Sequence, residues 1–291
     1  MKYEISLSDA LFHEKVIRDL RSLIHDPLIL ESSAALQLQR TMRDKVTRFI
    51  ENEPERLSRM VQRPDPKLPL GKWFENIFLA ALRITFPFSQ VHHSVKDGHG
   101  GELDFIIIGN GNTVHIECAV KFFLHHRTLG FGLNSYLGPA GNDRLDLKYH
   151  KMFEVQLKRI VPQHLDVKGP VTKILWMGGR IHVPLEAGIP AHPDPFDARV
   201  PSPMNPSPLI GYWGTTKQLQ ASLDSQEIVY KLPRQWRMTG LDGLRCRDLT
   251  VFKTLSDDEF LDEPIMTVRV KVGGEFAVER GRGFVCSTAK S

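Results

Sequence analysis

Residues 102–123, ELDFIIIGNGNTVHIECAVKFF, constrain the fold more than any other stretch of the chain. Two β-rich runs flank Gly109-Asn110-Gly111-Asn112. Asn-Gly takes up positive φ readily, so the stretch predicts a tight β-hairpin. With Asn110-Gly111 as the turn, Gly109 pairs with Asn112. The same register sets Asp104 against Glu117 and Glu102 against Ala119. Alternation then sorts the two faces. One carries Leu103, Phe105, Ile107, Val114, Ile116, Cys118, Val120 and Phe122; it is wholly apolar and must pack on a core. The other carries Glu102, Asp104, Ile106, Ile108, Thr113, His115, Glu117, Ala119 and Lys121, and its centre is acidic.

Directly opposed carboxylates, with Cβ atoms about 4.5–5.5 Å apart, repel. Either a cation sits between them or one is protonated. Hard cations such as Mg²⁺ prefer oxygen ligands, so a metal site is the simplest expectation for Asp104 and Glu117. Glu75 lies in a helical stripe with Leu79, Leu82 and Phe86. It is either a third member of the acidic cluster or a glutamate at the helix rim. Lys121 shares the Glu117 face. It either steadies charge on a phosphate and orients a water, or pairs with Glu102.

The surroundings read as a mixed α/β, or α+β, protein. Residues 9–25 predict a helix capped by Ser6 or Ser8, and a second helical stretch covers residues 33–61 with a break near Pro54. Residues 64–71 form a loop, followed by the helix WFENIFLAALRITF. QVHHSV (residues 90–95) predicts a strand before the hairpin, residues 142–160 return to helical spacing, and KILWMGG (residues 173–179) predicts another strand. Residues 184–208 are crowded with prolines and predict a loop or linker. Near the C-terminus, TVRVKV-GG-EFAVERGRGFVCS predicts a second β-hairpin. We divide the chain into an N-terminal helical region (1–69), a core (70–183), a proline-rich loop (184–210) and a C-terminal β-rich extension (211–291).

Composition sets bounds on function. A net charge of +4 permits an anionic partner without the strong basicity of a DNA-coating protein. Cys118, Cys246 and Cys286 are isolated, which argues against a disulfide framework or a cysteine-built zinc site. The first twenty residues lack the apolar core of a signal peptide, and no stretch has the length of a membrane span; the expected location is cytoplasmic. The adjacent pairs His92-His93 and His125-His126 face opposite ways on a strand, so neither pair chelates one metal. His115 fits a supporting role beside the acids better than direct ligation. Neither a G-x-x-x-x-G-K-[ST] loop nor a G-x-S-x-G element occurs. Trp213, Trp236 and Phe284 fit core packing better than base stacking.

The series Glu75, GELDF around Asp104 and HIECAVKF around Glu117 and Lys121 resembles the PD-(D/E)XK nuclease superfamily, which is restriction-endonuclease-like. GELDFII, HIECAVKFFL and YLGPAGNDRLDLK resemble, more closely, an uncharacterised bacterial domain-of-unknown-function family placed within that superfamily. The resemblance implies a helix–three-strand–helix–strand (αβββαβ) core and a divalent metal, Mg²⁺ or Mn²⁺, held by Asp104 and Glu117 with Glu75 as the first-helix acid. It also implies hydrolysis assisted by Lys121, with nucleic acid as the substrate and DNA ahead of RNA. The superfamily places its lysine two residues after the glutamate, where this chain has Ala119. Lys121 keeps the face but starts about 6–7 Å further along the strand. Lys148 on the next helix is the alternative, and Arg144 with Lys148 would contact the phosphate backbone. Lys151 and Lys158 fit a solvated face. The expected function is metal-dependent phosphodiester hydrolysis. The alternative is an inactive nuclease fold that binds nucleic acid or a protein partner.

Overall fold

The computed structural model describes residues 8–30, 32–61, 63, 65, 68–167, 169–185, 203–256, 263–271 and 274–286. Ser6 and residues 186–202 of the proline-rich stretch lie outside them. Four helices come first: α1 (Asp9–His25), α2 (Ser33–Asn52), α3 (Pro54–Met60) and α4 (Leu70–Thr85). Ser8 caps α1 by accepting from the Leu11 N–H. Pro54 opens α3, where its missing N–H breaks no helical bond. The strands β1 (Gln90–Lys96), β2 (Glu102–Gly109), β3 (Asn112–His125) and β4 (Tyr136–Leu137) come after the helices. Next come α5 (Leu145–His150), β5 (Val171–Pro184), β6 (Ile210–Thr215), α6 (Thr216–Ala221), β7 (Glu227–Lys231), β8 (Ile265–Lys271) and β9 (Val278–Cys286). The expected mixed α+β class, with helices first and a β-rich C-terminal part, is the one found.

One nine-stranded sheet runs β1-β2-β3-β5-β6-β9-β8-β7, with β4 paired to β3 off that path. Its middle, β3-β5-β6-β9, is parallel, and both flanks are antiparallel. The C-terminal strands therefore continue the sheet that starts at β1. The hairpin register is the expected one: Gly109 pairs with Asn112 and Phe105 with Ile116, and Asn110 and Gly111 both take positive φ.

Parity assigns the layers. Phe105, Ile107, Ile116 and Cys118 on one face, with Ile174 and Trp176 of β5, pack under α1, α2 and α4. On the opposite face Ala119, Phe123, Leu175, Met177 and Ile181 pack against Leu145, Met152 and Leu157. The strands β3 and β5 are thus covered on both sides, as a parallel pair requires. Trp236 and Phe284 are core residues, as expected.

The expected helix over residues 142–160 is shorter and irregular. The α-helical part spans six residues, and a π-helical turn, Lys151–Gln156, succeeds it. Leu157 N–H reaches back five residues to the Met152 carbonyl, 2.9 Å away. A π turn widens the helix and rotates the side chains beyond it to a new phase, which hydrophobic periodicity alone does not reveal. Among the described residues no helix is long and apolar enough to cross a membrane.

Candidate functional site

The acidic face of the hairpin is the one turned toward α5; α4 packs on the opposite face. The β2–β3 ladder runs from Gly109↔Asn112 to Phe105↔Ile116 and stops there. The next position sets Asp104 against Glu117 by count, but the backbone pairing has ended. Instead Asp104 Oδ2 accepts a hydrogen bond from the Cys118 N–H at 2.9 Å. The carboxylate has taken the place of a ladder carbonyl, which fixes Asp104 beside the Glu117 peptide.

Glu117 is wholly enclosed, at 0% exposure. Its Oε1 lies 2.8 Å from His115 Nε2, and its Oε2 accepts from Gln156 Nε2 at 2.7 Å. His115 is two residues away on the same strand face and is also fully buried. Gln156 arrives from the π turn. A buried carboxylate without such partners would be costly, so both residues hold Glu117 in place. Burial pushes the Asp104 carboxyl up to about 7, and the charge of Glu117 adds to the effect; the Cys118 N–H opposes both. Cys118 is buried beside the pair, and burial raises its thiol well above the ordinary range. It is a packed side chain, not a nucleophile.

Three cations surround the acids, each in a different state. Lys121 is half-buried and ion-paired with Asp143, not with Glu102. Lys148 is half-buried on α5 and, among the described residues, closes no ion pair within 4.0 Å. Burial, then the charges of Lys121 and Lys151, hold its ammonium below the ordinary lysine range, while Asp104 and Asp143 pull it upward. Lys72 donates to Glu75 at 2.7 Å and stands 3.7 Å from Glu102. Glu75 is half-buried on α4 and also lies 3.1 Å from His93 Nε2. Burial alone would raise the Glu75 carboxyl, but His93 and Lys72 hold it below the ordinary value.

Arg144 is exposed at the start of α5 and turns to Asp146, at 2.9 and 2.5 Å. It does not block the acids. Lys151 and Lys158 are exposed, the latter paired with Glu154. The fold therefore brings Asp104, Glu117 and Lys148 together, sets Lys121 beside them through Asp143, and leaves Glu75 in a polar group with Lys72 and His93. Gln156, Asp143 and His93 join the site without having been expected there. The spacing of Gln156 gave no signal because the π turn decides where it points. His93 was legible only in part, since alternation gives its face but not its neighbour on α4.

Among the described residues no three His, Cys, Asp or Glu side chains stand together as a metal-binding group. The donor set suits a hard cation held by two carboxylates. Such ions keep several waters and need no all-protein cage. Among the described residues nothing donates a hydrogen bond to Asp104 Oδ1, and the mutual repulsion of the pair is the electrostatic condition that a cation relieves.

A family model of a domain of unknown function, DUF1853, matches residues 18–286. The chain belongs to this family. The match begins within α1 and covers the other helices, the acidic hairpin and the C-terminal strands, so the sheet described above lies within a single DUF1853 match. No curated protein and no solved structure matches the chain.

Proposed function

We propose that this DUF1853 domain hydrolyses phosphodiester bonds in nucleic acid, with DNA as the expected substrate ahead of RNA, at a PD-(D/E)XK-like site that takes Mg²⁺ or Mn²⁺. One observation carries the reading: two neighbouring carboxylates, half-buried Asp104 and buried Glu117, are kept together so that the Asp104 carboxyl is pushed up to about 7, with the half-buried ammonium of Lys148 beside them. A fold tolerates such repulsion when ligand binding compensates it.

Asp104 and Glu117 would hold the cation, with Glu75 acting at a distance through water. When bound, the cation lowers the pKa of a water and polarises the phosphoryl group. His115 and Gln156 keep Glu117 fixed, so no reorganisation of that acid is needed during the reaction. Lys148 takes the charge-steadying role that spacing first assigned to Lys121, because Lys121 is neutralised by Asp143. Arg144 lies at the rim, where a phosphate backbone would pass.

The Lys121–Asp143 pair and the complete enclosure of Glu117 favour a second reading, an inactive nuclease fold that binds nucleic acid or a protein partner. Incubation of single- and double-stranded DNA and RNA with Mg²⁺ or Mn²⁺, beside Glu117→Ala, decides between them. Cleavage by the wild type that is lost in the variant supports hydrolysis. Equal cleavage in both marks a contaminant, and nucleic-acid binding without cleavage selects the second reading.

A further inference from the structure

The opposite face of the sheet carries a second polar pocket. Trp176, Gly178 and Arg180 share one face of β5, paired with Cys118, Val120 and Phe122 of β3, and so point away from Asp104 and Glu117. There they line a cavity of about 40 Å³, closed by Phe74 of α4, by Asp26 at the end of α1, and by Arg237 from the C-terminal part.

Its donors are under-used. Trp176 is fully buried, and its Nε1 has no hydrogen-bond partner. Arg237 Nε is buried without a partner, and the guanidinium lies 5.5 Å from the centre of the Phe284 ring. Arg180 spends one N–H on the Ile210 carbonyl, at 2.8 Å. Asp26 is the acid of the wall, and one of its oxygens is taken by the Ser22 hydroxyl. Arg282 and Glu279, which lie near enough to act on Arg180, pair with each other at 2.7 Å. The guanidiniums of Arg180 and Arg237 share Asp26 within the pocket wall, and Glu263 lies near enough to act on Arg237. Buried donors without acceptors are costly, and fork-shaped guanidiniums match oxyanions.

We propose that this pocket binds a small oxyanion, the phosphoryl or carboxylate group of a small molecule. Arg180 and Arg237 are its charge partners and the Trp176 indole is a neutral donor. Apolar side chains such as Phe74, Phe122 and Val120 line the rest of the wall, so the ligand carries an apolar portion beside its anionic end. The site is independent of the carboxylate pair, and its failure would leave the reading of Asp104 and Glu117 untouched.

Gly178 supplies the sharpest test. A Cβ there would stand 3.8 Å from the Phe74 ring and 3.9 Å from Trp176 Nε1, in ordinary contact, so Gly178→Ala fills the pocket without a clash. The full chain, in the presence of a chelator, is titrated separately with inorganic phosphate and with benzoate at constant ionic strength, with chloride as control. Tryptophan emission and melting temperature are read. A saturable response to either oxyanion but not to chloride is expected, and which one responds identifies the anion class. Gly178→Ala and Arg237→Gln should each weaken the apparent affinity about ten-fold or more, while Glu117→Ala leaves it unchanged. The proposal is overturned if the wild type responds to neither oxyanion, or if both pocket variants keep the response within about two-fold. Loss of the response in Glu117→Ala alone would overturn it too, since the anion would then sit at the carboxylates.

Discussion

Two aspartates, one buried and one half-buried, show how differently one fold treats the same side chain. Asp19, on α1, is 0% exposed and fully partnered. It pairs with Lys15, accepts from Trp73 Nε1 at 2.7 Å and accepts from Thr239 Oγ1 at 2.5 Å. Lys15 lies 4.4 Å from the centre of the Trp73 ring. This group ties α1 and α4 to the C-terminal part with its acid satisfied from three sides. Asp104 has one backbone donor and a second carboxylate for a neighbour. The first arrangement fixes structure. The second stores repulsion, which is what a site for a cation or a proton needs.

The largest effect should come from breaking the satisfied cluster. Asp19→Ala leaves the Lys15 amine buried without its partner, and should destabilise the fold by about 3–5 kcal/mol in urea denaturation. A cost below about 1 kcal/mol would erase the contrast between the two aspartates. On the acidic face, the proposed hydrolysis expects Lys148→Ala to lower DNA cleavage about 100-fold and Lys121→Ala less than about 10-fold, measured as initial rates. The reverse ranking would return the proposed charge-steadying role to Lys121.

Burial and the charge of Glu117 push the Asp104 carboxyl up to about 7 in the fold, against an ordinary value of 3.8 for the unfolded chain. Between these values the unfolded chain releases a proton that the folded chain keeps, so stability falls as pH rises from about 4 to 7 and stays reduced above that. Asp104→Asn should remove this slope and gain on the order of 1–3 kcal/mol at pH 8 without metal, read from melting curves across pH. A wild-type chain with no slope in that window would show that the pair is not strained. Mg²⁺ should raise the wild-type melting temperature at pH 8, but not that of Glu117→Ala. The smallest effect should be at the rim: Arg144→Ala should change stability by less than about 0.5 kcal/mol and reduce the salt slope of DNA binding by about one.

How far the sequence reaches differs between the hairpin and its surroundings. Turn chemistry and two-residue periodicity settle the β2–β3 register, both faces of the hairpin and the place of Asp104 near Glu117, because each is a local consequence of backbone geometry. Capping and proline rules likewise give α1 and the break before α3. The partners of those residues lie beyond local rules. Gln156 reaches Glu117 across 39 positions because a π turn rephases its helix. Lys121 finds Asp143, while Lys148 is left without an ion pair among the described residues, because α5 is seated over β3 by the packing of Leu145 and Met152. The pocket around Arg180 and Trp176 exists only once α1, α4 and the C-terminal part close over β5. Sequence by itself determined which side chains share a face. Tertiary structure decided which charges are neutralised and which are left bare, since burial and distance across the fold, not spacing along the chain, set their energies.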